Sequence, residues 1–431
     1  MCGIVGYIGK NEALLNLKSK IKLLEYRGYD SSGLCVIDSR TNSFYIKKTI
    51  GTIDKIKNLK KVDSSVGISH TRWATHGKIN KTNAHPQLSQ NSKISIVHNG
   101  IVENYQDLKL FLIKNGYKFN SETDTEVISN LIEFFLKKYD IKESLKRTLK
   151  EIDGSSSIVG INLDQPEKIF IMKKGNSGGL VISENNKNEK IISSDPTIIN
   201  GFAESYRYLV DSEIAFLDDN KIDFIVEAPG KNNREIKLEN GNSQIHNDVY
   251  QYKMEEEIFY QPTAIDNLEN NYLELIVEKL ENSNLNFKNI KRIIILGMGS
   301  SYNAGYVGVH YFENITKIQS QIINASEFID SGKIISDKDL VIGITQSGET
   351  AETIKALEYA RVKNAKTLAI VEKSISQASI ISDVTVNIGS GPEYAVASTK
   401  TFTSTTISLY IISKYLLSKS QGKNLNEKKL K

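Results

Sequence analysis

The chain has 431 residues, enough for two or three domains with separate cores, and its 39% hydrophobic and 25% charged content is that of an ordinary soluble globular protein. A formal net charge of +4 is too small for this length to argue for nucleic acid or a membrane surface as partner. No apolar run approaches the ~20 residues that span a bilayer, no signal peptide is visible, and two cysteines, Cys2 and Cys35, make neither a disulfide framework nor a Cys-rich metal site. A reducing cytoplasm is the expected setting.

In chain order, Ile4, Val5, Tyr7 and Ile8 open a strand directly behind Cys2, and strand-like runs follow at 33–37, 65–70, 94–98, 157–161 and 168–172. Two helices interrupt them, at 11–26 and 124–139; Val127, Ile128, Leu131, Phe134 and Phe135 repeat at nearly 3.6 residues in the second. Residues 2–238 therefore read as an α+β domain with mainly antiparallel sheets. A polar stretch gives a linker at 239–250. From 251 to 431, short apolar runs at 293–296, 321–324, 340–344, 367–371 and 384–388 alternate with helical segments, which predicts a doubly wound parallel α/β domain.

Cys2 carries the first chemical signal. Once Met1 is trimmed, the thiol and a free α-amine sit on one residue; with unperturbed pKa values of ~8.5 and ~8, the amine can serve as base for the sulfur. Read alone, Cys2 could equally be a small buried hydrophobe. The segment from Thr71 to Gly77 lies in a loop after the strand ending at His70, and Arg72 there offers a planar fork for a carboxylate. His98-Asn99-Gly100 reads as a turn after another strand, its Asn99 amide and Gly100 N–H suited to a developing oxyanion, though Asn-Gly alone is a common turn. Asp124 opens a helix and could hold an ammonium. The histidines lack metal-ligand spacing, so no metal is expected.

These segments occur in order with Arg27-Gly28-Tyr29-Asp30-Ser31-Ser32-Gly33, Asn83-Ala84-His85-Pro86 and Ser121-Glu122-Thr123-Asp124. The series resembles the class II glutamine amidotransferases. The resemblance implies an N-terminal-nucleophile αββα sandwich in which Cys2 attacks the glutamine amide, Asn99 and Gly100 form the oxyanion hole, Arg72 binds the glutamine carboxylate and Asp124 its amino group. Trp73, Thr75 and His76 would line that pocket; in aminosugar-forming relatives the tryptophan gates an ammonia route, a role compatible with core packing.

In the second half, a strand runs into Gly297-Met298-Gly299-Ser300-Ser301 and a later one into Thr345-Gln346-Ser347-Gly348-Glu349-Thr350. Serine hydroxyls, glycine turns and helix N-termini suit a phosphate, although either loop alone could be a plain N-cap. Neither matches the P-loop or the dinucleotide fingerprint. With Ala325-Ser326-Glu327-Phe328 and the segment from Glu393 to Lys400, they resemble the sugar isomerase (SIS) domain. That implies that Ser300, Ser301, Gln346, Ser347 and Thr350 hold a sugar phosphate, with Val396 and Ser398 near the sugar; Lys400 reads as a helix-start residue. The pairing implies conversion of fructose 6-phosphate to glucosamine 6-phosphate with glutamine as nitrogen donor, no cofactor, and a homodimer. Relatives carry a second SIS domain, expected to be missing here. The alternative is a glutaminase and sugar-phosphate-binding subunit with no synthase activity of its own.

Overall fold

The computed structural model describes residues 2–74, 77–227, 235–237, 250–283, 285, 289–373, 376–391, 393, 395, 397–423 and 425. The chain divides into two compact units, Met1–Asn240 and Gly241–Lys431. Of the expected linker at 239–250, all but Tyr250 lies outside the described residues. Among the described residues no helix is long and apolar enough to cross a membrane.

The first unit contains β1 (Gly3–Ile8), α1 (Ala13–Lys22), β2 (Ser31–Asp38), β3 (Ser43–Ile50), β4 (Val66–Arg72), β5 (Gln87–Leu88), β6 (Ile94–Val102), α2 (Tyr105–Lys114), α3 (Asp124–Leu136), α4 (Ile141–Glu151), β7 (Gly154–Asn162) and β8 (Gln165–Lys174). The short strands β9 (Val181–Glu184), β10 (Lys190–Ser193), β11 (Ser205–Tyr208), β12 (Ile214–Leu217), β13 (Ile222–Val226) and β14 (Glu235–Lys237) complete it. Among the described residues these form two antiparallel sheets, ordered β14-β11-β9-β10-β1-β4-β2-β3 and β13-β12-β8-β7-β6-β5. The alternation in β1 explains the layering. Ile4 and Ile8 point into the core between the sheets, against Val97, Val159, Ile161 and Ile169, while Val5 and Tyr7 point the other way, against Leu14, Leu17 and Ile21 of α1. The second sheet buries its outer face under α2, α3 and α4 through Leu108, Leu112, Val127, Leu131 and Leu145. The αββα sandwich is thus present.

Two expectations are corrected here. Arg72 is the last residue of β4 rather than part of a loop, because β2 continues to pair with it at Ser31. Asn99 and Gly100 lie inside β6, not in a turn, because β7 pairs with β6 along its whole length, Asn99 with Ser157 and Gly100 with Ser156. Gly100 makes this possible: its φ is +136°, and a Cβ there would stand 1.9 Å from the Ser155 carbonyl oxygen.

The second unit holds α5 (Lys253–Phe259), α6 (Gln261–Asn267), α7 (Leu273–Glu281), β15 (Arg292–Gly297), α8 (Ser300–Tyr311), β16 (Gln319–Asn324), β17 (Asp339–Ile344), α9 (Ala351–Val362), β18 (Lys366–Val371), α10 (Gln377–Ile381), β19 (Val384–Asn387) and α11 (Lys400–Ser420). Its sheet is parallel, in the order β16-β15-β17-β18-β19. Apolar residues face both ways along β15. Ile293 and Ile295 pack with Ile276, Leu280, Leu409 and Ile412 of α7 and α11, and Ile294 and Leu296 with Ile354 and Leu357 of α9. This is the doubly wound domain, with one departure: the described segment between β16 and β17 contains turns and no helix.

Candidate active site

The first unit builds its site where three strand ends meet. The register Gly3↔Thr71 carries residue 2 to the Arg72–Trp73 end of β4, and Ser31↔Arg72 brings β2 to the same place. The entry into β1 is pinned twice: Gly3 N donates to Thr71 Oγ1 at 3.1 Å and Ile4 N to Ser194 Oγ at 2.9 Å. Cys2 Sγ then accepts from Trp73 N at 3.2 Å. Gly28 permits the close approach of the preceding turn, since a Cβ there would lie 2.7 Å from the Arg72 carbonyl carbon and 2.8 Å from Trp73 N.

Burial pushes the Cys2 thiol above its ordinary range; the Trp73 N–H and the charges of Arg72 and Arg27 pull it back. The resting sulfur is therefore a thiol that needs a base, in surroundings that favour the thiolate once formed. Arg27 supplies its charge from a buried pair, with its Nη1 3.0 Å from Asp195 Oδ2. Burial lowers the Arg72 guanidinium, while Cys2, Asp124, Asp30 and Glu122 hold it up, so acidic residues from two segments, 27–33 and 121–124, act on this arginine.

Asn99 links β6 to Cys2. Its Nδ2 donates to the Cys2 carbonyl oxygen at 2.9 Å, and its Oδ1 lies 3.1 Å from His70 Nε2. A carboxamide oxygen only accepts, so Nε2 carries the proton. Asp124 is the first residue of α3, and its Oδ2 accepts from Val102 N at 3.0 Å, beyond Gly100 on the same strand. Trp73 is 41% exposed and packs edge-on against Tyr29 at 5.6 Å, so it is a surface residue rather than core. Asp30 Oδ2 accepts from Ala74 N at 2.9 Å, and Glu122 Oε2 from Lys78 N at 3.0 Å, which anchors the chain on either side of positions 75 and 76. Thr75 and His76 lie outside the described residues.

Three buried histidines lie behind Asn99. His70 stacks on His85 with ring centroids 4.2 Å apart; His85 Nε2 and His98 Nδ1 share Thr125 Oγ1 at 2.8 and 3.1 Å. Burial holds His70 neutral, its pKa lowered to about 3, and burial together with the neighbouring His70 lowers His85 well below the usual value. The sign follows: below pH 6.5 the unfolded chain takes up protons that the folded chain refuses. Stability is thus fully present above pH 6.5 and falls as pH drops toward the folded pKa, by about 1.4 kcal/mol per pH unit for each such histidine. Urea unfolding at pH 6.5, 5.5 and 4.5 should show this slope, and His85→Gln should flatten it by about one histidine's share. An unchanged slope in the variant would refute the buried-neutral account.

In the second unit, β15 and β17 are neighbours, with Leu296 opposite Gly343, so residues 297–301 and 345–350 leave the same edge of the sheet at its topological switch point. Ser300 and Ser301 are the first residues of α8, and Ser301 N donates to Met298 O at 3.0 Å. Ser347 Oγ accepts from Glu349 N at 3.1 Å, and Thr350 Oγ1 lies 2.8 Å from Thr345 Oγ1. Gln346 O accepts from Glu372 N at 3.0 Å. Ser398 Oγ donates to Glu393 Oε2 at 3.0 Å; Val396 lies outside the described residues.

Residues 70–200 match the model described as a glutamine amidotransferase domain, and residues 286–413 the model of the SIS domain. The glutamine–fructose-6-phosphate aminotransferase (isomerizing) of Caldanaerobacter subterraneus subsp. tengcongensis is 38% identical over 96% of this chain and 68% of its own length. The chain belongs to the glutamine–fructose-6-phosphate aminotransferase family. The aminotransferase of the same name from Methanococcus maripaludis is also 38% identical, over 95% of this chain and 69% of its own. Among solved structures, the glutamine phosphoribosylpyrophosphate amidotransferase of B. subtilis aligns with 86% of this chain and 81% of its own, at 18% identity and a TM-score of 0.46. The sequence reading leaves Arg27, Asp195 and Asp30 without a role, although Arg27 acts on Cys2 while paired with Asp195, and Asp30 acts on Arg72; Arg27 and Asp30 stand in a quoted motif, whereas Asp195 has no local signature.

Proposed function

We propose that this chain takes its nitrogen from glutamine at Cys2 and uses it to convert fructose 6-phosphate to glucosamine 6-phosphate. The observation that carries the reading is the Cys2 sulfur held 3.2 Å from Trp73 N, with Asn99 reaching the same residue at 2.9 Å. With Met1 removed, the α-amine takes the thiol proton and the thiolate attacks the carboxamide carbon. Asn99 Nδ2 and the Gly100 N–H stabilise the oxyanion. Collapse expels ammonia, which leaves with the transferred proton, and the glutamyl thioester is hydrolysed by water to glutamate and free thiol. Arg72 pairs with the substrate carboxylate and Asp124 with its ammonium, with Trp73, Thr75 and His76 lining the pocket. In the second unit Ser300, Ser301, Gln346, Ser347 and Thr350 bind the sugar phosphate, and Val396 and Ser398 face the sugar. The charge arrangement supports this division, because acidic groups cluster with Arg72 whereas the loops after β15 and β17 present hydroxyls and backbone N–H groups.

The test supplies purified chain with fructose 6-phosphate and glutamine carrying an isotope label on its amide nitrogen. Labelled glucosamine 6-phosphate is the expected product. Labelled ammonia and glutamate alone would reduce the reading to a glutaminase with a sugar-phosphate site.

A further inference from the structure

Lys400 occupies an unfavourable place for a cation. It is the first residue of α11, whose N-terminus carries partial positive charge, and it is 1% exposed. Its ammonium sits 4.8 Å over the Tyr260 ring, and the carboxylates of Glu257, Glu393 and Glu372 act on its charge, against a burial that lowers its pKa. Each of these carboxylates also grips a different piece of the segment 390–401. Glu372 accepts from Ser390 N and Oγ at 2.8 Å and from Gly391 N at 2.7 Å. Glu257 accepts from Ala395 N at 3.2 Å. Glu393 accepts from Thr399 N at 2.8 Å, Thr401 N at 3.3 Å and Ser398 Oγ at 3.0 Å. The backbone N–H of Glu372 reaches Gln346 O, so the network also touches the loop after β17.

We propose that Lys400 is a positioning residue: a buried cation whose charge lets three carboxylates on α5, on the loop after β18 and before α11 hold Ser390, Gly391, Ala395, Ser398, Thr399 and Thr401 in place beside the sugar-phosphate loop. The inference rests on the reading of Ser398 and its neighbours as the sugar-facing wall. Three carboxylates brought together without that cation repel one another, and the lowest-energy response is to swing outward or take up protons; either releases the amides they hold. A surface lysine at a helix start has no such consequence.

The experiment compares the wild-type chain with Lys400→Met, Glu393→Gln and the double variant. Gln at 393 keeps one acceptor oxygen for Thr399 and Thr401 while its amide can donate to Ser398, so the double variant restores the charge balance without removing the grip. In Lys400→Met, hydrogen exchange at Gly391, Ala395, Thr399 and Thr401 should rise at least ~10-fold and fructose 6-phosphate, measured by calorimetry, should bind at least ~10-fold more weakly. Glutamine hydrolysis should stay within about twofold of wild type, and the double variant should recover most of both losses. That recovery separates charge balance from loss of packing, which a second substitution would only worsen. Unchanged exchange in Lys400→Met, or a double variant no better than the single one, would overturn the proposal. A wild-type chain that binds no fructose 6-phosphate while the exchange pattern holds would overturn the sugar-phosphate reading and support the charge network.

Discussion

Cys2→Ala should lose at least ~10⁴-fold of its glutamine hydrolysis, about 5.4 kcal/mol of barrier, while keeping its fold and its fructose 6-phosphate affinity. The size follows from the role. On the proposed roles, no covalent intermediate forms without the sulfur, and Asn99, Arg72 and Asp124 can only orient glutamine for attack by water. The fold should survive because Cys2 precedes β1 and is only half-buried, while the strand is secured by the bonds from Gly3 to Thr71 and from Ile4 to Ser194. Cys2→Ser is the sharper probe. It keeps the shape and the hydrogen bond from Trp73 but replaces the thiol with a far less acidic hydroxyl, which the α-amine activates much less readily, so it should hydrolyse glutamine far more slowly than the wild type. The mass of active protein should correspond to loss of Met1. Full hydrolysis by Cys2→Ala, or by chains retaining Met1, would remove the nucleophile from the mechanism.

The sheet-and-helix order was legible where burial imposes a period. Ile293 to Leu296 reads as a strand because both faces are covered, and Ile4, Val5, Tyr7 and Ile8 because opposite faces meet different layers. Helices α2 and α4 went unread although α4 carries its signals openly: Ile141, Leu145 and Leu149 repeat every four residues behind Asp140, whose side chain accepts from Glu143 N at 2.8 Å. The turn placed at Asn99-Gly100 follows a sound local rule that a tertiary pairing overrides, since β7 holds the pair in strand geometry at a φ only glycine tolerates. The site divides along the same line. Candidates within a contiguous motif can be named from the chain; Asp195, 168 positions from Arg27, and the carboxylates around Lys400 cannot. Charge networks assembled across a fold leave no periodicity in the chain that forms them.

Asn99→Ala should lower kcat for glutamine hydrolysis by about 10²–10³, some 2.7–4 kcal/mol, with little change in KM. The asymmetry comes from geometry. The amide touches Cys2 and His70, while the proposal gives the substrate's charged ends to Arg72 and Asp124. On the proposed role, what is lost is a donor to an oxygen that bears charge only after attack. Asn99→Asp is the stricter comparison: it keeps the volume, exchanges the donor for a carboxylate oxygen facing the same position, and should be at least as impaired as Asn99→Ala. It also leaves His70 a partner for its Nε2–H, so a defect shared by both variants points to the oxyanion rather than to a disturbed histidine cluster. A rise in KM with kcat unchanged in either variant would move Asn99 from the transition state to substrate binding.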